Sequence, residues 1–343
     1  MRSHPLQQLV LAKLRELYRE PEALFWIFVF PVLLALALGV AFRSGAPEPL
    51  PVAVEDGPQA TEIVGALEAS RDLRPEVVDR EDAAQRLRAG RVALVVVPGE
   101  SVTYRYDPTR PDSRLARLAV DDALQRAQGR MDPVRVDDEV LTERGSRYID
   151  FLIPGLVGMN LMGTGMWGIG FYIVNARSKR LLKRLVATPM RRTHYLLAQI
   201  GGRLVFLVLE VGALVGFARL AFGVPLRGSI IGLALLCALG GMTFAGLGLL
   251  VASRARTIEG VSGLMNLVML PMWVLSGIFF STSRFPEIVQ PVVQALPLTA
   301  IIDGLRAVML EGAGLHAVWG EIGIAAAWCL VSFVVALARF RWC

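Results

Sequence analysis

Long apolar runs cut the chain into pieces of membrane-crossing length. Five carry no Asp, Glu, Lys or Arg: residues 23–42, 151–174, 230–252, 261–280 and 322–338. A sixth, 196–222, is equally apolar apart from Arg203, Glu210 and Arg219. A helix rises about 1.5 Å per residue and the hydrocarbon core is about 30 Å thick, so about 20 such residues span it. Lipid offers the backbone no hydrogen bonds, so a spanning segment must satisfy itself as a helix. Six transmembrane helices are predicted.

The polar segments between them have their own patterns. Ahead of the first run, Leu6, Leu9, Val10, Leu14 and Leu17 recur at helical spacing, with Lys13, Arg15, Glu16 and Arg19 on the other side. This predicts a cytoplasmic amphipathic interface helix over 1–22, broken at Pro21. The first run is longer than the about 7 to 15 residues of a secretory h-region, so it is expected to stay as transmembrane helix 1 over 23–42. The hydrophilic stretch 43–148 alternates strand signals at 51–55, 92–97 and 102–106 with helix signals at 60–69, 81–89 and 113–127. That pattern predicts a small α/β domain, without a nucleophile–base pair or phosphate loop in it. Past the fifth run, Pro286, Pro291 and Pro297 interrupt 281–316, and Ile301, Ile302, Leu305, Val308 and Met309 form one face of a piece too short to cross. An external re-entrant hairpin is predicted, with Asp303 and Arg306 as an i,i+3 pair. The expected fold class is thus an all-α membrane protein of six transmembrane helices, with an inserted small α/β extracytoplasmic domain and transmembrane helices 2–6 over 149–343.

Composition agrees: of 343 residues, 54% are hydrophobic and only 19% charged, below the quarter usual in soluble domains. The net charge of +6 does not mark a nucleic-acid binder, because the basic residues flank apolar runs instead of gathering with aromatics on a soluble face. They set orientation. The loop 175–195 holds Arg177, Lys179, Arg180, Lys183, Arg184, Arg191 and Arg192, the next loop on that side holds Arg254 and Arg256, and Arg339 and Arg341 follow the last span. The opposing loops offer only Arg227, Arg284 and Arg306. The positive-inside rule then predicts a multi-pass protein of the cell membrane with both termini cytoplasmic and 43–148 outside. Cys237, Cys329 and Cys343 and His4, His194 and His316 are scattered, so no metal or disulfide framework is expected.

Glu210 stands near the middle of the third span, where an unpaired charge costs about 3 kcal/mol or more. Arg203 lies on its face but about 10 Å along the axis, and Arg219 lies on the opposite face. Two readings stay open: a structural pair with another helix, or a proton- or cargo-sensing site. Gly212 with Gly216, Gly248 with Ala252, and the glycines at 163, 165, 168 and 170 allow close helix approach, within one bundle or between subunits.

In the loop, SKRLLKRLVATP places Leu181, Leu182, Leu185 and Val186 on one helical face and Lys179, Arg180, Lys183 and Arg184 on another, ended by Thr188 and Pro189. Spacing alone allows a plain membrane-surface helix or a docking lever for a partner. Together with FLIPGLVGMNLMGTG, LPMWVLSGIFFSTSRFP and LPLTAIIDGLRAVML, the segment LLKRLVATPMRR resembles the ABC-2 type permeases of ATP-binding-cassette exporters. The stretches PVAVEDG and AAQRLRAGRVALVVVP are similar to the extracytoplasmic domain of one subgroup, inserted after the first span.

The resemblance implies outward movement of a hydrophobic or amphipathic cargo, such as a drug-like molecule, lipid or ion. It implies two copies of a cytoplasmic ABC ATPase, docked through Lys179, Arg180, Leu181, Leu182, Lys183, Arg184, Leu185, Thr188 and Pro189, and a second permease subunit, identical or related. Many relatives carry an acidic residue ahead of the leucines where this chain has Ser178 and Lys179. The resemblance also implies a cargo path along spans two and five, with Met159, Asn160, Met162, Trp167, Asn266, Met269, Trp273 and Ser276, and an external gate that includes Asp303 and Arg306. The sequence has no G-x-x-x-x-G-K-[ST] loop to cradle phosphates, so ATP and magnesium are expected on the partner subunit and no cofactor on this chain. Two other classes compete with this reading. A membrane-anchored enzyme acting on lipid needs a nucleophile, base or metal in a span, and no histidine or aspartate lies in one. A receptor or scaffold displaying the external domain needs only one or two spans.

Overall fold

The computed structural model describes residues 21–42, 49–99, 101–131, 145, 147–178, 192–255 and 257–339. The chain forms two compact units, Met1–Arg43 with Thr142–Cys343, and Ser44–Leu141.

The second unit is α/β. Its elements are β1 (Leu50–Glu55), α2 (Ala60–Glu68), β2 (Leu73–Val78), α3 (Arg80–Arg88), β3 (Leu94–Val97), β4 (Thr103–Arg105) and α4 (Pro111–Ala127). The sheet order is β2-β1-β3-β4, with β1 parallel to both neighbours and β4 antiparallel to β3. Right-handed crossovers explain the layering: the chain steps from β1 to β2 and then back past β1 to β3, so the two connecting helices fall on opposite faces. Val52, Val54, Leu94 and Val96 pack with Ile63, Leu67, Ala116 and Val120 under α2 and α4, while Ala53 and Val95 meet Ala83 under α3. Buried Glu55 pairs with Arg105 at 2.5 Å. The strand signals at 51–55, 92–97 and 102–106 correspond to β1, β3 and β4. β2, with the sequence LRPEVV, has no counterpart in the sequence reading, because Pro75 and its charges break the pattern. An edge strand tolerates proline because its outward N–H has no partner to lose.

The first unit is helical. α1 covers residues 21–41 and includes one wider turn, Phe25–Val29. α5 runs from Tyr148–Met166 through a wider turn, Trp167–Phe171, into Tyr172–Ser178. There follow α6 (Arg192–Phe222), α7 (Ile230–Arg254), α8 (Ile258–Leu275), the short α9 (Gln290–Ala295), α10 (Pro297–Arg306, continued by the wider turn Ala307–Glu311) and α11 (Trp319–Arg339). Among the described residues, five stretches are long and apolar enough to cross a membrane: Tyr148–Asn175, Val205–Phe222, Ile230–Arg254, Ile258–Leu275 and Leu315–Arg339. Phe25–Ala41 is apolar but shorter. The fifth predicted span, 261–280, is trimmed to end at Leu275, because Gly277 turns left-handed at φ 72° and redirects the backbone. The expected re-entrant segment is two helices, α9 and α10, each too short to span.

α5 is the most enclosed membrane-length helix and packs on α7 with backbones nearly touching. A Cβ at Gly248 would lie 2.7 Å from the Met166 carbonyl oxygen, and one at Gly165 would lie 2.7 Å from Phe244 Cβ. At Gly170 it would collide with Met265 and reach the Gly248 carbonyl. Gly212 and Gly216, by contrast, meet nothing within 4 Å. Of the small-residue pairs noted in the sequence, Gly248 is therefore used inside this bundle.

Gly248→Leu forces the α5–α7 seam apart and costs about 3 kcal/mol, whereas Gly212→Ala is neutral, as thermal denaturation in detergent will show. In the α/β unit, the Tyr104 hydroxyl donates to Asp121 at 3.3 Å, and its pKa is pushed from 10.0 up to about 12, first by burial and then by the Asp121 charge. A raised folded-state pKa stabilises the fold below the unfolded value and loses that contribution as pH climbs from 10.0 through about 12. Tyrosinate absorbance should show a late-titrating component, and Tyr104→Phe should lower its amplitude by one tyrosine.

Candidate functional site

Three helices of the bundle meet in a line of polar groups. In α1 the wider turn Phe25–Val29 departs from the regular i−4 ladder, and Asn160 Nδ2 of α5 donates to the carbonyl of Ile27 within it at 3.2 Å. One turn on, the Thr164 hydroxyl lies 2.7 Å from the Asn160 carbonyl and 3.1 Å from Oε1 of Glu210 on α6. Glu210 is 1% exposed, so its carboxyl sits inside the bundle, away from the lipid-facing side of α6. In a low dielectric, each such bond is worth most where the alternative is an unsatisfied group. Structure thus brings Glu210 and Asn160 into one chain through Thr164.

A second cluster lies where α5 begins. Arg306 of α10 is largely enclosed; its Nη2 donates to the Gly277 carbonyl just past α8, and its Nη1 to Asp303 Oδ1 at 3.3 Å. Its guanidinium lies 3.7 Å from the centre of the Phe151 ring of α5, a cation–π contact. Asp303 and Arg306 do form the i,i+3 pair expected from spacing, yet the arginine also ties α10 to α5 and to the end of α8. α5 holds the same post-α8 segment at two more points. The Tyr148 hydroxyl donates to the Phe279 carbonyl at 3.0 Å, and a Cβ at Gly155 would lie 2.7 Å from the Ile278 carbonyl oxygen. At the head of α5, Arg147 and fully buried Asp150 are joined by two side-chain hydrogen bonds of 2.9 and 2.8 Å.

The residues proposed for a cargo path separate into two sets. Met159, Asn160, Met162, Met269 and Ser276 are buried in the bundle, whereas Asn266 and Trp273 are exposed on the outer face of α8 and Trp167 is half-buried in the wider turn of α5. They do not gather on one surface of this chain. The residues expected to dock an ATPase, Lys179, Arg180, Leu181, Leu182, Lys183, Arg184, Leu185, Thr188 and Pro189, lie outside the described residues. Among the described residues, no group of three or more His, Cys, Asp or Glu is placed to hold a metal ion.

Apolar membrane-length helices cross-tied by buried polar groups, with a small α/β unit inserted in the sequence after α1, define a multi-helix membrane protein. The chain belongs to the ABC-2 family of transporter proteins, whose family model matches residues 21–338. It is 23% identical over 351 residues to the inner membrane transport permease YhhJ of Escherichia coli K12, covering 93% of this chain and 92% of that protein. It is 29% identical to nodulation protein J of Bradyrhizobium diazoefficiens, over 57% of this chain and 75% of that one. It is also 27% identical to ABC transporter G family member 20 of Dictyostelium discoideum, over 63% of this chain but only 30% of that protein.

The polar line carries a measurable share of stability. Thr164→Val removes the hydroxyl between Asn160 and Glu210 and should cost about 1 kcal/mol, while Thr164→Ser should be close to wild type, as read by thermal denaturation in detergent.

Proposed function

We propose that this ABC-2 permease is the membrane half of an exporter that moves a hydrophobic or amphipathic cargo outward, driven by ATP hydrolysed on a separate subunit. The observation that carries the proposal is the family match, which runs through the apolar helices and the α/β insert together. Two ATPase copies dock at residues 179–189 on the cytoplasmic side, where the basic loops lie. α1 serves as a sixth span, local thinning of the bilayer and snorkelling flanking residues accommodating its shorter apolar length. The α/β unit then lies outside the cell and both termini inside.

A second permease copy, or a close relative, completes the pathway. The exposed faces of α6 and α8 favour this. Both leave most of their span uncovered by the rest of the chain, and α8 presents Asn266 and Trp273 there. A polar amide facing hydrocarbon is costly, whereas facing a partner or a cargo it is useful. Arg306 and Asp303 act at the outer gate, where release of the α10 pair from Gly277 accompanies opening.

Reconstitution tests this reading. The permease in liposomes with a cognate ABC ATPase should accumulate a fluorescent amphiphile only with ATP and magnesium, and the permease alone should not hydrolyse ATP. The double change Lys183→Glu with Arg184→Glu should lower ATP-dependent transport by about tenfold through lost docking. Hydrolysis by the purified chain alone, or full transport by the charge-reversed protein, would contradict the proposal.

A further inference from the structure

The last turn of α5 carries a cation to which the proposed function assigns no role. Arg177 precedes the segment 179–189 by two residues. Its Nη1 donates to the carbonyl of Ala255 at 3.2 Å and, at a longer 3.5 Å, to that of Ala252. Both acceptors belong to the C-terminal end of α7, where the final carbonyls have no intrahelical donor and the helix dipole is negative. Ala252 and Ala255 are buried, so the guanidinium reaches into the protein instead of lying on its surface. Hydrogen bonds from a charged donor in such a setting are stronger than those of an exposed pair.

The position of these carbonyls in the chain gives the contact its consequence. Two residues beyond Ala255, the Thr257 side chain caps α8 by accepting from the Gly260 N–H. One guanidinium therefore holds the end of α5 against the end of α7, two residues before the Thr257 cap of α8. Val174, one turn earlier on α5, is fully buried, and this part of α5 packs against both α7 and α8. α8 is the helix that carries Asn266, Met269 and Trp273.

We propose that Arg177 is a positioning residue that makes the end of α5 and the α7–α8 turn move as one body, so that force entering at residues 179–189 is delivered to α8. This rests on reading that segment as the ATPase-docking element. Arginine suits the task because its planar fork keeps several donors in fixed geometry, whereas lysine presents a point charge on a flexible stem and methionine has no donor.

The test uses the full permease with its ATPase in lipid nanodiscs. Cys237, Cys329 and Cys343 are replaced by alanine and a reporter thiol is placed by Val274→Cys on the exposed face of α8. Thiol reactivity is compared without nucleotide and with ATP and vanadate. We expect a nucleotide-dependent change in the Arg177-containing protein. In Arg177→Met it should be about tenfold smaller, with ATPase binding and ATP hydrolysis retained. Arg177→Lys should restore part of it. Should the methionine variant fail to fold, Arg177→Gln against Arg177→Lys makes the same comparison. An unaltered response in the methionine or glutamine variant with ATPase still bound overturns the role of Arg177 alone. Failure of the Arg177-containing protein to bind any ATPase overturns the docking reading itself, and the role of Arg177 with it.

Discussion

The bundle depends on the near-contact of the α5 and α7 backbones. In lipid, apolar side chains gain little by leaving hydrocarbon for one another, so helices associate through dispersion and polar contacts at short range. Glycines at 165, 170 and 248 permit that range; any larger residue would meet a neighbouring main chain or a packed side chain. Because α5 is enclosed on most of its surface, the other helices are placed by reference to it.

α5 then works as a hub with distinct contacts along its length. Near its start, Tyr148, Phe151 and Gly155 hold the segment after α8 and, through the Phe151 ring, Arg306 of α10. At its middle, Asn160 and Thr164 tie α1 and Glu210 of α6. At its end, Arg177 holds the Ala255 carbonyl at the end of α7. A rigid helix with partners at three levels can relate events at its two ends only if it moves as a unit or bends at a defined place. The wider turn at Trp167–Phe171, between the middle and last contacts, is such a place.

α6, α8 and α11 are the opposite case, with most of their apolar surface uncovered by this chain. Lipid can solvate such faces, and so can a second subunit. Apolar side chains such as Leu267 and Val334 need no further explanation in that setting. Asn266 does, because it is polar and lies among them. The distinction between a buried and an exposed residue on the same helix is what divides the proposed cargo path into residues that pack and residues that face outward.

Much of the fold was legible in the sequence, and the reason is physical. Apolar run length maps directly onto membrane helices because unsatisfied backbone is so costly in oil, and the α/β insert announced itself through alternating periods. β2 escaped, since an edge strand with Pro75 is held by its neighbour β1 and not by its own pattern. Tertiary structure alone decided which glycines touch backbone and that the fifth span stops before Gly277. It alone joined Glu210 to Thr164, gave Arg306 partners beyond Asp303, and turned Arg177 from an orientation signal into a tie between helices. Those outcomes depend on atoms far apart in the chain arriving within a few ångströms. Local spacing carries the period of each element but not the register of one element against another.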